Sequence, residues 1–143
     1  MGPVIVLDAS VLLKWALKGP EESDSSKALV LLENWAAGMF EIALPKLWAY
    51  EVGNVLGMKH PSRAEELMEI FIGYSFVEIG ISPEICRTTY SLVRKCHVSF
   101  YDAVYHAVAL RSQGILITAD ESYHRNAAEF GCIQLLRDFR LPV

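Results

Sequence analysis

Val4-Ile5-Val6-Leu7-Asp8-Ala9-Ser10-Val11-Leu12-Leu13 is the stretch that decides the fold. Four aliphatic residues in succession, with no alternation of polar and apolar, make a short strand buried on both faces, as strands inside parallel sheets are. The run stops at Asp8, and the spaced aliphatic residues beyond it predict a helix over 10–17. A strand that ends in an acid at a helix entry puts that acid on the carboxyl edge of its sheet, where open α/β sheets bind ligands.

The same pattern recurs along the chain. Short apolar runs at 41–44, 76–79, 115–118 and 132–135 alternate with helical stretches predicted at 22–37, 45–58, 62–73, 83–95, 101–113 and 122–130. Gly19-Pro20, Gly38, His60-Pro61, Gly80 with Pro83, Gly114 and Gly131 all fall between these elements. Five strands alternating with helices predict one α/β domain over residues 1–143, a parallel five-stranded sheet flanked by helices. There is no internal repeat and no interdomain linker, and the polar segment 20–26 is the expected mobile loop.

Composition narrows the function. At 143 residues and 52% hydrophobic, the chain can bury one substantial core. A formal net charge of -4 argues against gripping nucleic acid through a broad basic surface. It leaves open an acidic site at which bound cations supply local positive charge. No stretch approaches the ~20 apolar residues of a membrane span, and Asp8 interrupts the first apolar run too early for a signal peptide. The expected compartment is the cytoplasm, with no membrane partner. Cys86, Cys96 and Cys132 form no C-x-x-C pair and read as buried free thiols; a pairing of Cys96 with Cys132 stays open.

Four acids stand out. Asp8 and Asp120 each follow a strand, and each is either a helix N-cap or a ligand at the sheet's edge. Asp102 closes Ser99-Phe100-Tyr101-Asp102, which has the spacing of a capping box. Glu51 lies on the apolar stripe of its helix with Leu47, Trp48 and Val55, where a carboxylate needs a cationic partner or a metal. Asn54, three residues on, is placed to hydrogen-bond Glu51; Ser10 and Thr118, two residues from Asp8 and Asp120, are placed to support those acids. Each of the three also has an ordinary structural reading. Taken together, four acids at one sheet edge raise one another's pKa unless a cation intervenes. Oxygen-only ligation suits Mg²⁺ or Mn²⁺.

Four pieces of the chain, in order, resemble the PIN-domain ribonucleases, and within them the VapC-type toxins of toxin-antitoxin pairs. They are Val6-Leu7-Asp8-Ala9-Ser10-Val11-Leu12-Leu13-Lys14-Trp15, Pro45 followed by Glu51-Val52-Gly53-Asn54-Val55-Leu56, Ser99-Phe100-Tyr101-Asp102-Ala103, and Thr118-Ala119-Asp120-Glu121. The resemblance implies a PIN-like, Rossmann-like sheet and an Mg²⁺ or Mn²⁺ site built from Asp8, Glu51, Asp102 and Asp120. It also implies endonucleolytic cleavage of RNA, a homodimer and a small antitoxin partner. In that reading Asp8, Asp102 and Asp120 ligate metal, while Glu51 ligates a second ion or acts as base. Glu121 is either a further ligand or an acid favouring a helix N-terminus.

Other readings compete. A catalytically silent PIN-fold module would use the crevice only to dock RNA or protein. A receiver-like phospho-acceptor would need paired acids after the first strand and a Lys ending the fifth, where Leu135 and Leu136 stand. His106 reads as a solvent-facing or core-edge histidine, and His124 and Arg125 as solvated charges or phosphate contacts. Trp15, Trp35, Met39, Phe40 and Trp48 read first as core and second as a partner groove.

Overall fold

Ile5, Val6 and Leu7 have no solvent exposure because strands flank them on either side and helices cover both faces. The computed structural model describes residues 2–17 and 24–140. Its strands are β1 (Val4–Leu7), β2 (Glu41–Pro45), β3 (Val77–Ile79), β4 (Ile115–Thr118) and β5 (Ile133–Leu135). Among the described residues the helices are α1 (Ala9–Leu12), α2 (Ser25–Ala36), α3 (Trp48–Lys59), α4 (Ala64–Gly73), α5 (Pro83–Cys96), α6 (Phe100–Arg111) and α7 (Glu121–Ala127).

The five strands form one sheet in the order β3-β2-β1-β4-β5, and every pairing is parallel. The chain winds outward from β1 through β2 to β3, then returns to the opposite side of β1 for β4 and β5. The winding reverses between β1 and β4, the switch point at which such sheets bind ligands. Leu7 pairs with Ile117 there, so the register sets Asp8 beside Thr118. The close approach of the two strands requires a residue without a side chain at Gly114, where a Cβ would lie 2.5 Å from the Val4 carbonyl oxygen.

The strands lie where the aliphatic runs predict, with ends shifted by at most one residue. Pro45 extends β2 instead of opening the next helix: it pairs with Ile79 at a strand end already past the β1 pairing. Consequently α3 starts at Trp48. The first helix is short and tightens into a 3-10 turn over Leu13–Trp15. Of the expected loop at 20–26, residues 20–23 lie outside the described residues, while Ser25 and Ser26 already belong to α2.

Helix α6 is the centre of the molecule. Its residues 103–109 are all buried, including Tyr105 and His106, so a helix apolar nearly all round has been placed inside the domain. The tryptophans are packing residues. Trp15, Trp35 and Trp48 pack with Phe71, Tyr74 and Phe76 at ring-centroid distances of 5.2–6.3 Å, and Phe40 is buried too; of the five residues read for a partner groove, Met39 alone is largely exposed. All three cysteines are free, but only Cys96 is buried as expected: Cys86, also on α5, is partly exposed and Cys132 is exposed. Among the described residues no helix is long and apolar enough to cross a membrane.

Candidate active site

Asp8 ends β1 and caps α1, accepting the Val11 backbone N–H at 3.4 Å. Two hydroxyls also converge on it. Ser10 donates to Oδ1 at 2.5 Å and Thr118 donates to Oδ2. Each hydroxyl then accepts from the β4 side: Ser10 Oγ from the Ala119 N–H and Thr118 Oγ1 from the Asp120 N–H, both at 3.0 Å. The ends of β1 and β4 are thereby laced together around one carboxylate. Burial raises the Asp8 carboxyl from its ordinary 3.8 to about 6; the hydroxyl bonds pull it back and the charge of Asp120 pushes it further up.

Asp120 caps α7, accepting the Tyr123 N–H at 3.0 Å. Asp102 stands in the first turn of α6, whose N-cap Ser99 accepts the Asp102 N–H at 3.0 Å. Loss of hydration raises the Asp102 carboxyl, the Ser99 hydroxyl opposes that, and the charge of Asp120 adds to it. Glu51 lies half-buried in the first turn of α3. Tyr105 of α6 donates to its Oε1 at 2.5 Å. Burial raises the Glu51 carboxyl, the Tyr105 bond lowers it in part, and the charge of Asp102 raises it further. Capping and ligation are therefore not exclusive here: Asp120 serves its cap through one oxygen, Oδ1.

The four acids form a row. Asp8 feels Asp120, Asp120 acts on Asp102, and Asp102 acts on Glu51, in each case as a like charge that opposes ionisation. Among the described residues no Lys, Arg or His forms an ion pair with any of them; the ion pairs Arg63–Glu66, Arg87–Glu84 and Arg137–Glu121 all lie elsewhere. Glu121 is thus engaged by Arg137. No three acids among the described residues converge into a ready-made ligand shell. The donor set nevertheless fits a hard divalent cation, since it is all oxygen and no ion pair among the described residues neutralises it, and Mg²⁺ binds through one or two carboxylates while keeping several waters.

Supporting groups sit where residue types alone would not place them. Ser10 and Thr118 both bond Asp8. Asn54 is exposed, and the hydrogen bond to Glu51 comes from Tyr105. His106 is wholly buried, with Nδ1 2.9 Å from the Tyr123 hydroxyl and Nε2 2.7 Å from the Gly131 carbonyl oxygen. A carbonyl only accepts, so Nε2 carries the proton; burial holds the ring neutral, and the Tyr123 hydroxyl donates to Nδ1. This bond braces α6, which carries Asp102, against α7, which Asp120 caps. The sequence sets Tyr105 and His106 three and four positions after Asp102, on its face of the helix, a spacing that points to Asp102 and not to the partners they have, Glu51, Tyr123 and Gly131.

One cleft, of about 320 Å³, is lined by Lys14, Ala119, Glu121 and Arg137, and another, of about 350 Å³, by Leu47, Tyr50, Ile81, Phe100, Tyr101 and Val104; none of the four acids lines either.

A doubly wound parallel sheet with acids at its switch point defines a Rossmann-like α/β domain, a class in which ligands bind at that edge. The PIN domain model matches residues 5–129, and the chain belongs to the PIN-domain family. Among solved structures it is similar to a toxin-antitoxin complex from Klebsiella pneumoniae, with TM-score 0.69 and 19% identity over 92% of this chain and 97% of that one. It is similar also to FitAcB from Neisseria gonorrhoeae, with TM-score 0.71 and 11% identity over 94% and 99%. Mycobacterium tuberculosis VapC20, described as a sarcin-ricin loop cleaving toxin, aligns with TM-score 0.62 and 16% identity over 85% and 93%. At these identities the likeness is one of fold. No curated protein matches the chain by sequence.

Proposed function

We propose that this protein is an Mg²⁺- or Mn²⁺-dependent endoribonuclease and the toxin of a type II toxin-antitoxin pair, acting in the cytoplasm as a homodimer with a small antitoxin as partner. The observation that carries the reading is that Asp8 and Asp120 at the β1/β4 switch point and Asp102 and Glu51 on the adjoining helices act on one another as like charges, with no ion pair to any of them among the described residues. The neighbour described as a toxin-antitoxin complex, and the one described as a sarcin-ricin loop cleaving toxin, support the biological context.

Asp8, Asp102 and Asp120 would hold the cation. When bound, it lowers the pKa of an attacking water and neutralises charge on the phosphodiester. Ser10 and Thr118 fix both oxygens of Asp8, so this ligand is set before any ion arrives. Glu51, whose carboxyl burial raises above its ordinary value, would take a proton from the attacking water.

The test is cleavage of a panel of structured and single-stranded RNAs with Mg²⁺, Mn²⁺ or EDTA, comparing the native chain with Asp8→Asn and Asp102→Asn. Metal-dependent cutting should fall more than about 100-fold in both variants with circular dichroism unchanged, since even residues behind the ligands are worth 10–100-fold. Cutting that survives in both would locate the chemistry elsewhere. The competing reading, a catalytically silent module, draws on the lack of a three-acid shell among the described residues; it expects RNA binding indifferent to EDTA and no cleavage at all.

A further inference from the structure

Resting on the reading of the acid row as a hydrolytic site, we propose that Tyr105 is a positioning residue that aims Glu51. Its hydroxyl reaches from the second turn of α6 to Oε1 of Glu51 on α3, across 54 positions of sequence, at 2.5 Å. Nothing about packing demands a hydroxyl there. Tyr105 is 2% exposed within a helix buried from 103 to 109, and a phenyl ring would fill the same space.

Two features make the bond an aiming device. Glu51 is half-buried, and among the described residues neither an ion pair nor a second side chain holds its carboxylate. A glutamate has three rotatable side-chain bonds, so its carboxylate direction is set by whatever binds it. The donor, by contrast, is rigid, fixed by close packing on all sides. Helix α6 thus carries Asp102 on its own backbone and controls Glu51 through Tyr105, so one element sets the relation between both helix-side acids. Tyr105 engages one oxygen of Glu51, Oε1, and makes no bond to the other.

The test is Tyr105→Phe in the full chain, read in two ways. In RNA cleavage with Mn²⁺, kcat should fall 10- to 100-fold, as for other groups that orient an active-site residue, while KM for RNA stays within about twofold and circular dichroism is unchanged. In denaturation of the metal-free chain, Tyr105→Phe should lower stability when Glu51 is present and have no further effect in a Glu51→Ala background, the non-additivity expected of a direct bond. An unchanged kcat overturns the proposal. So does a loss that tracks unfolding, or additive effects in the denaturation cycle. If the native chain cuts no RNA, the nuclease reading fails by itself and the metal-free cycle still decides whether Tyr105 holds Glu51.

Discussion

The two halves of the acid row are held in different ways. On the strand side, Asp8 and Asp120 sit at the ends of neighbouring strands, and their partners are close in sequence or directly across the β1/β4 pairing: Ser10, Val11, Thr118 and Tyr123. On the helix side, Glu51 and Asp102 come from α3 and α6, and their relation depends on a hydroxyl brought in by tertiary packing. Local backbone fixes the first pair, and the core fixes the second. Disturbing each half should therefore show different signatures.

The largest effect on stability is expected on the strand side. Asp8 ionises at about 6 in the folded chain against an ordinary 3.8. Below about pH 4 the carboxyl is protonated in both states and costs folding nothing. Between about 4 and 6 the unfolded chain loses the proton first, and above about 6 the folded chain carries the full penalty, of order 3 kcal/mol. Asp8→Asn should accordingly raise stability in metal-free urea melts at pH 7.5, by up to about 3 kcal/mol less the carboxylate's hydrogen bonds. The gain should vanish at pH 4. A variant equally destabilised at both pH values would show that Asp8 is held without strain and would erase the contrast between the halves.

A smaller effect is expected at the brace between the helices. Tyr123→Phe removes the donor to His106 and leaves a buried ring nitrogen unsatisfied, at a cost of about 2 kcal/mol. Because the bond ties α6 to α7, amide exchange should quicken in both helices and much less in β1. Loss confined to α7 would mean the brace does not connect Asp102 to Asp120.

The contrast also explains what the sequence made legible. Strands β1 and β4 could be placed to the residue because an uninterrupted aliphatic run in a parallel sheet has no alternative face to turn, and the acids at their ends followed from the sheet's edge. Ser10 was legible for the same reason, being two residues from Asp8, whereas Thr118, expected beside Asp120, donates its hydroxyl across the β1/β4 pairing to Asp8. Tyr105 was not. A tyrosine inside an apolar helix reads as core, and only the folded α3–α6 contact shows that its hydroxyl meets Glu51. Asn54 illustrates the converse: three residues from Glu51 on one helix, it is exposed, and the hydrogen bond to that carboxylate comes from the neighbouring helix. His106 belongs to the same class, its role set by Tyr123 and Gly131, 17 and 25 residues away.

The central claim is that the acid row is an unneutralised site for a divalent cation, and thermal melting at pH 7.5 with rising Mn²⁺ tests it most directly, without RNA or a partner. The native chain should gain stability in proportion to ln(1 + [Mn²⁺]/Kd), about 2.7 kcal/mol at a hundredfold excess over Kd, and Asp102→Asn or Asp120→Asn should lose most of that gain. Melting temperatures that ignore Mn²⁺, or that rise equally in the variants, would contradict the claim.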